Sequence, residues 1–314
     1  MEFRIVNDDI LRARTDIAAL KYADTFHGAD KMVAGAIGFS SALTRGQHAF
    51  VDGSNIDVGD VLFVGVGPLS EFRYENIQVF ARHVLEIVAR ERPHAQTVAL
   101  TIHGPGYGLD EKEAFLSLMS GFHEAEISRR SALRSILIFE RSPARAKRLE
   151  LLMPDSHNKE AQISRVVALK DYGTRSEHKP RLFIAMPFAD KYFDEYDIAF
   201  TEAAHQNGFV CERLDLESFV GDVFSEIKKR ILNSSAVVAL LNDHNPNVFL
   251  EVGFAIAHHK PVILVVDKET LVPFDVRGQK FLKYSRIFEL RETLSLEIKN
   301  LKLGGALDAR SRAQ

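Results

Sequence analysis

One acid stands out because of its company. The segment Val248–Ala257 reads VFLEVGFAIA, and Glu251 is the single carboxylate inside it. A helix that is apolar almost all round is expected to be buried. A lone carboxylate in a buried helix is costly unless it is paired or used. Two readings are open: a structural acid hydrogen-bonded to a neighbouring loop, or a catalytic carboxylate facing a pocket. Asn245 suits the N-cap of this helix, with Pro246 or Asn247 in its first turn. Glu251 then falls in the second turn, near the helix mouth. Gly253, two residues on, either leaves room on the adjacent helix face or serves helix–sheet packing.

A second set of candidates lies in the first half. The apolar run Thr97–Ile102 is followed by His103-Gly104-Pro105-Gly106-Tyr107-Gly108 and then by a helix with Asp110 and Glu111 in its first turn. A glycine-rich turn into a helix N-terminus can cradle a phosphate through backbone N–H groups. Gly65-Val66-Gly67-Pro68, after another apolar run, is a second such turn. Gly65, Gly67, His103, Gly104, Gly106 and Gly108 are therefore the candidate ligand-binding residues here. A tight turn with no ligand explains either motif equally well, and first-turn acids repel a phosphate. No His/Asp/Glu set reads as a metal site, so no metal and no resident cofactor is expected.

The elements that position these residues follow from the apolar runs. In the second half, strands are expected at Leu182–Met186, Phe209–Arg213, Ala236–Leu241, Pro261–Val266 and Phe281–Tyr284. Helices are expected at Phe193–Gln206, Val220–Leu232, Asn247–His259 and from Leu290 to Leu301. The first of these helices stops at Asn207-Gly208, a C-cap signal. Val223, Phe224, Ile227 and Ile231 share one face of the second. Nearly all-apolar strands alternating with helices mean a parallel sheet covered on both faces. In such sheets ligands bind beyond the carboxyl ends of the strands, which draws in Met186-Pro187-Phe188-Ala189-Asp190 and Asn242–Asn247. The first half is a less regular α/β pattern. Its strands are expected at Val61–Val66, Thr97–Ile102 and Ser135–Phe139, and its helices at Glu75–Ala89, Glu111–Ala125 and Ala144–Leu152. Residues 1–50 are ambiguous between strand and helix. A polar stretch separates the halves, with one short element at Ile163–Leu169.

Composition narrows the functional classes. The chain has 314 residues, which at about 150 residues per domain suggests two domains. It is 46% hydrophobic and 26% charged, with 40 basic and 43 acidic residues and a net charge of −3. That is globular composition, without the basic footprint of nucleic-acid-duplex or anionic-membrane binding. No apolar run approaches about 18 residues, so no membrane-spanning helix is expected. The N-terminus lacks the order of a signal peptide. The one cysteine, Cys211, excludes intrachain disulfides, fits a reducing cytoplasm and reads as a small core residue.

Three blocks in the second half carry a resemblance: RLFIAMPF, then SSAVVALLNDHNPNVFLEVGFAIAHHKPVILVV, then PFDVRGQKFLKY. Over roughly Arg181–Tyr284 the chain resembles the TIR-like nucleotide-processing domains related to nucleoside 2-deoxyribosyltransferases. The resemblance implies a flavodoxin-like parallel-sheet domain. It also implies that Glu251 acts on an N-ribosidic bond: the corresponding Glu attacks the anomeric carbon in the deoxyribosyltransferases and supports nicotinamide–ribose cleavage in TIR NADases. Met186, Pro187, Phe188, Asn245 and Asn247 would line the ribose and phosphate part of the site. Asp190 and Asp194 read as helix-start caps or as contacts to a ribose hydroxyl, and Arg277 as a phosphate contact or the partner of Asp275. Asp243 and His244 read as turn residues, and His258 and His259 as surface residues complementing the helix dipole. The deoxyribosyltransferases usually carry an acidic or Ser/Gly-rich stretch where this chain has Asn242–Asn247. That departure points away from deoxyribosyl transfer and towards hydrolysis of NAD⁺ or a nucleotide.

The first half, through VGDVLFVGVGP and TVALTIHGPGYGLDEKEAF, resembles a macro-like domain of the type found at the N-terminus of leucine aminopeptidases. Macro domains bind ADP-ribose or related nucleotides; the catalytic half of the aminopeptidases has no counterpart here. The expected layout is a macro-like α/β sensing or assembly domain at 1–153, a linker at 154–180, the TIR-like domain at 181–303 and a flexible tail at 304–314. The expected function is NAD⁺ or nucleotide hydrolysis, with NAD⁺ as substrate rather than cofactor. It would be gated by a nucleotide second messenger at the first domain or by homo-oligomerisation, as in the bacterial anti-phage defence effectors that such domain pairings resemble. The rivals are a nucleoside or nucleotide N-glycosidase or deoxyribosyltransferase, and a non-catalytic nucleotide-binding scaffold in which Glu251 is structural.

Overall fold

The apolar runs of the sequence are strands, and they build two separate sheets. The computed structural model describes residues 1–126, 131–153, 169–187, 189–214, 223–271 and 280–303. One unit comprises Met1–Pro105 and Glu111–Glu177, the other Gly106–Asp110 and His178–Gln314.

The first unit resolves the ambiguity of residues 1–50. It holds β1 (Glu2–Val6), β2 (Ile17–Tyr22), β3 (His48–Asp52), β4 (Asp60–Gly65), β5 (Thr97–Thr101) and β6 (Ser135–Phe139). They form a sheet in the order β1-β6-β5-β2-β4-β3. Every pairing is parallel except β3 with β4. The central strands are buried on both sides, as strands with helices on either face must be. Ala18, Leu20, Val61 and Phe63 pack with Val33 and Ala34 of α1 (Gly28–Ile37). The long helix α2 (Tyr74–Glu91) buries Ile77, Phe80, Val84 and Val88, at the spacing of one helical face. α3 (Glu111–Glu124) lies against it, and α4 (Pro143–Leu152) starts from a Ser142 cap.

The stretch expected to link the domains does not run as a linker throughout. Tyr172–Glu177 is a short helix, α5, belonging to the first unit. Polar side chains hold it. Ser176 Oγ donates to the buried Glu113 Oε2 at 2.6 Å, and Thr174 N donates to Gln78 Oε1 at 3.2 Å. A polar stretch expected to be linker here supplies the partner of a buried acid. The element expected at Ile163–Leu169 falls, apart from Leu169, outside the described residues, as does the tail at 304–314.

The second unit holds β7 (Arg181–Ala185), β8 (Val210–Glu212), β9 (Ala236–Leu240), β10 (Val262–Asp267) and β11 (Phe281–Tyr284). The order is β11-β10-β9-β7-β8, and every pairing is parallel. Alternate residues face opposite sides. Leu182, Ile184, Val238 and Leu240 pack with Phe200, Phe209, Leu290 and Leu294. Phe183, Ala185, Val237 and Ala239 pack with Ile227, Ile231, Val248 and Val252. The helix expected over Phe193–Gln206 is not one regular helix. A tight turn at Asp190–Tyr192 and a widened turn at Glu195–Phe200 precede α6 (Thr201–Gln206). The remaining helices are α7 (Val223–Asn233), α8 (Pro246–Ala257) and α9 (Ile287–Leu303). Thus each unit is α/β with a predominantly parallel sheet, as the sequence leads one to expect.

Candidate active site around Glu251

Asn245 caps α8: its side-chain oxygen accepts the Asn247 N–H at 2.9 Å, and Pro246 occupies the first turn. The helix turns Val248, Val252 and Ala255 onto the sheet. It is not buried all round, as the sequence led one to expect: Leu250 is 53% and Ile256 45% exposed. Gly253 lies on that outer side, and a Cβ there would meet nothing within 4 Å. Its role is therefore not helix–sheet packing.

Beside the face turned to the sheet runs a second stripe, Asn247, Leu250, Glu251 and Phe254, spaced three and four residues apart. On α7 the stripe Phe224, Ile227, Lys228 and Ile231 has the same spacing. Together these eight side chains line a pocket of about 190 Å³. Glu251 forms no hydrogen bond or ion pair with a described residue, and burial pushes its carboxyl up to about 8. With mostly apolar walls and no described cation paired to it, the neutral acid is favoured at neutral pH. The group can give up a proton there. Once a positive charge comes near, it can instead stand opposite that charge as a carboxylate.

The other candidates divide. Asn247 joins Glu251 at the pocket, whereas the Asn245 side chain is spent on the cap. Met186 and Pro187 are buried beyond β7, and Arg213 Nη1 donates to Met186 Sδ at 3.6 Å. Asp190 is exposed at the start of its turn. Phe188, Arg277 and Asp275 lie outside the described residues. Asp243 is paired with Lys191 at 2.8 Å, and the bonds from Lys191 and Tyr192 hold its carboxyl below the usual range. His244 bonds the Leu271 carbonyl at 2.7 Å, and His258 and His259 are exposed at the end of α8. Cys211 is wholly buried, and burial drives its thiol well up. Lys228 escaped the sequence reading. Its signal was its place one turn after Phe224 and one turn before Ile231 on the apolar face.

Gly65, Gly67, His103 and Gly104 belong to the first unit, Gly106 and Gly108 to the second. Gly65 is demanded by packing, since a Cβ would sit 2.1 Å from the Thr44 carbonyl oxygen. His103 is 4% exposed with Nε2 unbonded, and burial, reinforced by Lys21, holds it well below its ordinary pKa. Among the described residues no three His, Cys, Asp or Glu side chains are grouped to hold a metal. No helix among them is long and apolar enough to cross a membrane.

No protein-family model matches the sequence, and no curated protein matches it. Among solved structures, the Trypanosoma brucei macrodomain in complex with ADP is similar over 48% of this chain and 68% of its own, at 14% identity and a TM-score of 0.41. The Oceanobacillus iheyensis macrodomain with MES bound is similar over 51% and 92%, at 14% identity and a TM-score of 0.39. The Clostridium botulinum CMP N-glycosidase is similar over 37% and 98%, at 18% identity and a TM-score of 0.33. These are likenesses of fold, and the functional reading rests on this chain's own side chains.

Proposed function

We propose that the second unit hydrolyses an N-ribosidic bond in NAD⁺ or a related nucleotide, with Glu251 facing the anomeric carbon. The observation that carries this reading is a carboxyl that no described residue pairs, held up to about 8 at the wall of a pocket. Breaking a C1′–N bond builds positive charge on the ribose, as in glycoside cleavage. A carboxylate close by stabilises that charge or traps it covalently. The nicotinamide of NAD⁺ is itself cationic, so its arrival favours ionised Glu251. The bond electrons leave with nicotinamide, which departs neutral and needs no proton. Water then adds to C1′ and loses a proton, leaving ADP-ribose.

A second reading draws on the same raised pKa. A purine or pyrimidine leaving from a neutral nucleotide needs a proton, and a carboxyl with a pKa near 8 is a competent general acid at neutral pH. The two readings differ in the protonation state at work, so they differ in pH profile.

We further propose that the first unit, through its macro-like sequence features, binds a nucleotide that raises a low basal activity, and that assembly of several copies contributes. A role in bacterial anti-phage defence belongs to the same proposal.

The test is incubation with NAD⁺, read by chromatography for nicotinamide and ADP-ribose. It spans low and high protein concentration, with and without cyclic nucleotides and ADP-ribose derivatives, beside Glu251→Gln. Nicotinamide release that disappears in the variant is the expected result. Cleavage of nucleotides with neutral bases but not of NAD⁺ would move the assignment to the second reading. No cleavage of either class would overturn both.

A further inference from the structure

We infer that Lys228 selects a 5′-phosphorylated substrate, contacting the phosphate carried by the same ribose whose anomeric carbon faces Glu251. This rests on the N-ribosidic reading and narrows it: the substrate is a nucleotide, and nucleosides are poor substitutes.

Five of the pocket's eight side chains are apolar: Phe224, Ile227, Ile231, Leu250 and Phe254. One is an amide, Asn247, and the other two carry opposite charges, Glu251 and Lys228. No ion pair joins these two, and neither pairs with any other described residue. The half-buried ammonium of Lys228 instead lies over the Phe224 ring, 4.4 Å from its centroid. Several other cations of this unit are paired. Arg230, half a turn further along α7, holds Glu226 at 3.0 Å, and Lys191, Lys268 and Lys280 each hold an acid.

A cation kept on an apolar wall, with no counter-ion among the described residues, is a place for an anion. A ring face supports an ammonium only modestly, by about 0.5–2 kcal/mol, so a phosphate oxygen displaces nothing that binds it more tightly. An acid on the same wall, with no cation of its own, is a place for positive charge. A ribonucleotide supplies both on one sugar: C1′, which turns cationic as its bond breaks, and the 5′-phosphate on the far side of the ring. The pocket, about 190 Å³, is smaller than the ~300–1,000 Å³ of common ligand sites. In a dinucleotide the second nucleotide would extend beyond these walls.

The experiment compares the full-length wild type with Lys228→Gln and Lys228→Arg. The probes are nicotinamide mononucleotide, CMP and AMP, the matching nucleosides, and NAD⁺, with kcat and KM measured separately. The wild type should favour monophosphates over nucleosides by about 10- to 100-fold in kcat/KM, the scale of one charge-assisted hydrogen bond. Lys228→Gln should erase that ratio through KM, leaving kcat for the monophosphates and all values for the nucleosides nearly unchanged. Lys228→Arg should keep most of it. A matching loss on NAD⁺ would assign the dinucleotide to the same subsite; a loss confined to mononucleotides would make them the source of the phosphate. A ratio untouched by Lys228→Gln would overturn the inference while Glu251 chemistry stood. If nothing is cleaved, the N-ribosidic reading fails, and calorimetry with the same compounds decides on Lys228. Monophosphate binding lost in Lys228→Gln would uphold the contact, and equal or absent binding would remove it.

Discussion

Asp110 Oδ2 accepts the backbone N–H of Cys211 at 2.9 Å, across 101 positions of the chain. The same oxygen bonds His205 Nε2 at 2.7 Å, and Asp110 is 1% exposed. Cys211 lies on β8, the edge strand of the second sheet. An edge strand presents N–H groups with no neighbouring strand to accept them, and a buried N–H needs an acceptor. Asp110 supplies one from a segment that precedes the rest of that unit by almost 70 residues. Asp110→Ala should therefore destabilise the second unit by about 1–3 kcal/mol, the cost of stranding a buried donor. Asp110→Asn, which keeps an acceptor oxygen, should lose less. Differential scanning calorimetry reads both, and an unchanged transition in Asp110→Ala would show that water replaces the carboxylate.

Glu251 should make the protein less stable as the pH rises. Its folded pKa is about 8 against an ordinary 4.5. Between those values the unfolded chain has released a proton that the folded chain keeps, so stability falls as pH climbs through this window. Glu251→Gln removes the dependence. The variant should gain about 1–3 kcal/mol over wild type at pH 8, the scale of an uncompensated buried polar group, and the gain should shrink towards pH 5. Urea midpoints at the two pH values check this. A variant that is no more stable at either pH would mean that the carboxyl is well solvated, and the catalytic reading would lose its physical basis.

How far the sequence could be read depended on whether a signal was local. The strand Ala236–Leu240 and the cap at Asn245 are written in neighbouring residues, and so is the oddity of Glu251 within VFLEVGFAIA. The exposure of Leu250 and Ile256 is not, because an apolar helix gives no sign of which side meets the sheet. A lysine on a helix face is ordinarily solvated, so nothing near Lys228 in the sequence marks it; only α8 makes it part of a pocket. Asp110 read as a helix-start acid because Cys211 and His205 lie about a hundred residues away. Tyr172–Glu177 reads as linker because Glu113 and Gln78, which hold it, lie 63 and 96 positions away along the chain.

Tyr284 should matter more than its place on the edge strand β11 suggests. Its hydroxyl donates to Glu195 Oε1 at 2.8 Å and accepts from Asn242 Nδ2 at 2.8 Å. Asn242 Oδ1 in turn accepts the Asp267 N–H at 2.8 Å. One phenol thus ties the carboxyl ends of β9, β10 and β11 to the turn that begins at Glu195. Tyr284→Phe keeps the ring and deletes the tie, leaving a buried carboxylate without that donor. A loss of about 1–3 kcal/mol is expected, read as a lower urea midpoint with the slope unchanged. A changed slope would point instead to looser packing of the whole unit.

Lys21 and Asp30 form a buried ion pair in the first unit, each 2% exposed. Lys21 is the one charge in the otherwise apolar strand β2, and Asp30 sits in the first turn of α1. Burial pushes the Asp30 carboxyl up even though Lys21 opposes it, and Asp30 Oδ1 has no hydrogen-bond partner. The pair is thus incompletely compensated. Removing one member strands the other, so Lys21→Met alone should cost about 3–5 kcal/mol, whereas Lys21→Met with Asp30→Leu should come within about 1 kcal/mol of wild type or exceed it. Stability of the two single variants and the double, measured by urea unfolding, completes the cycle. Lys21 also helps to hold His103 low, so His103 should titrate at higher pH in the double variant, as NMR would report. If the double variant is as unstable as the singles, the apolar pair does not fill the space, and the ion pair is then required for packing as well as for charge balance.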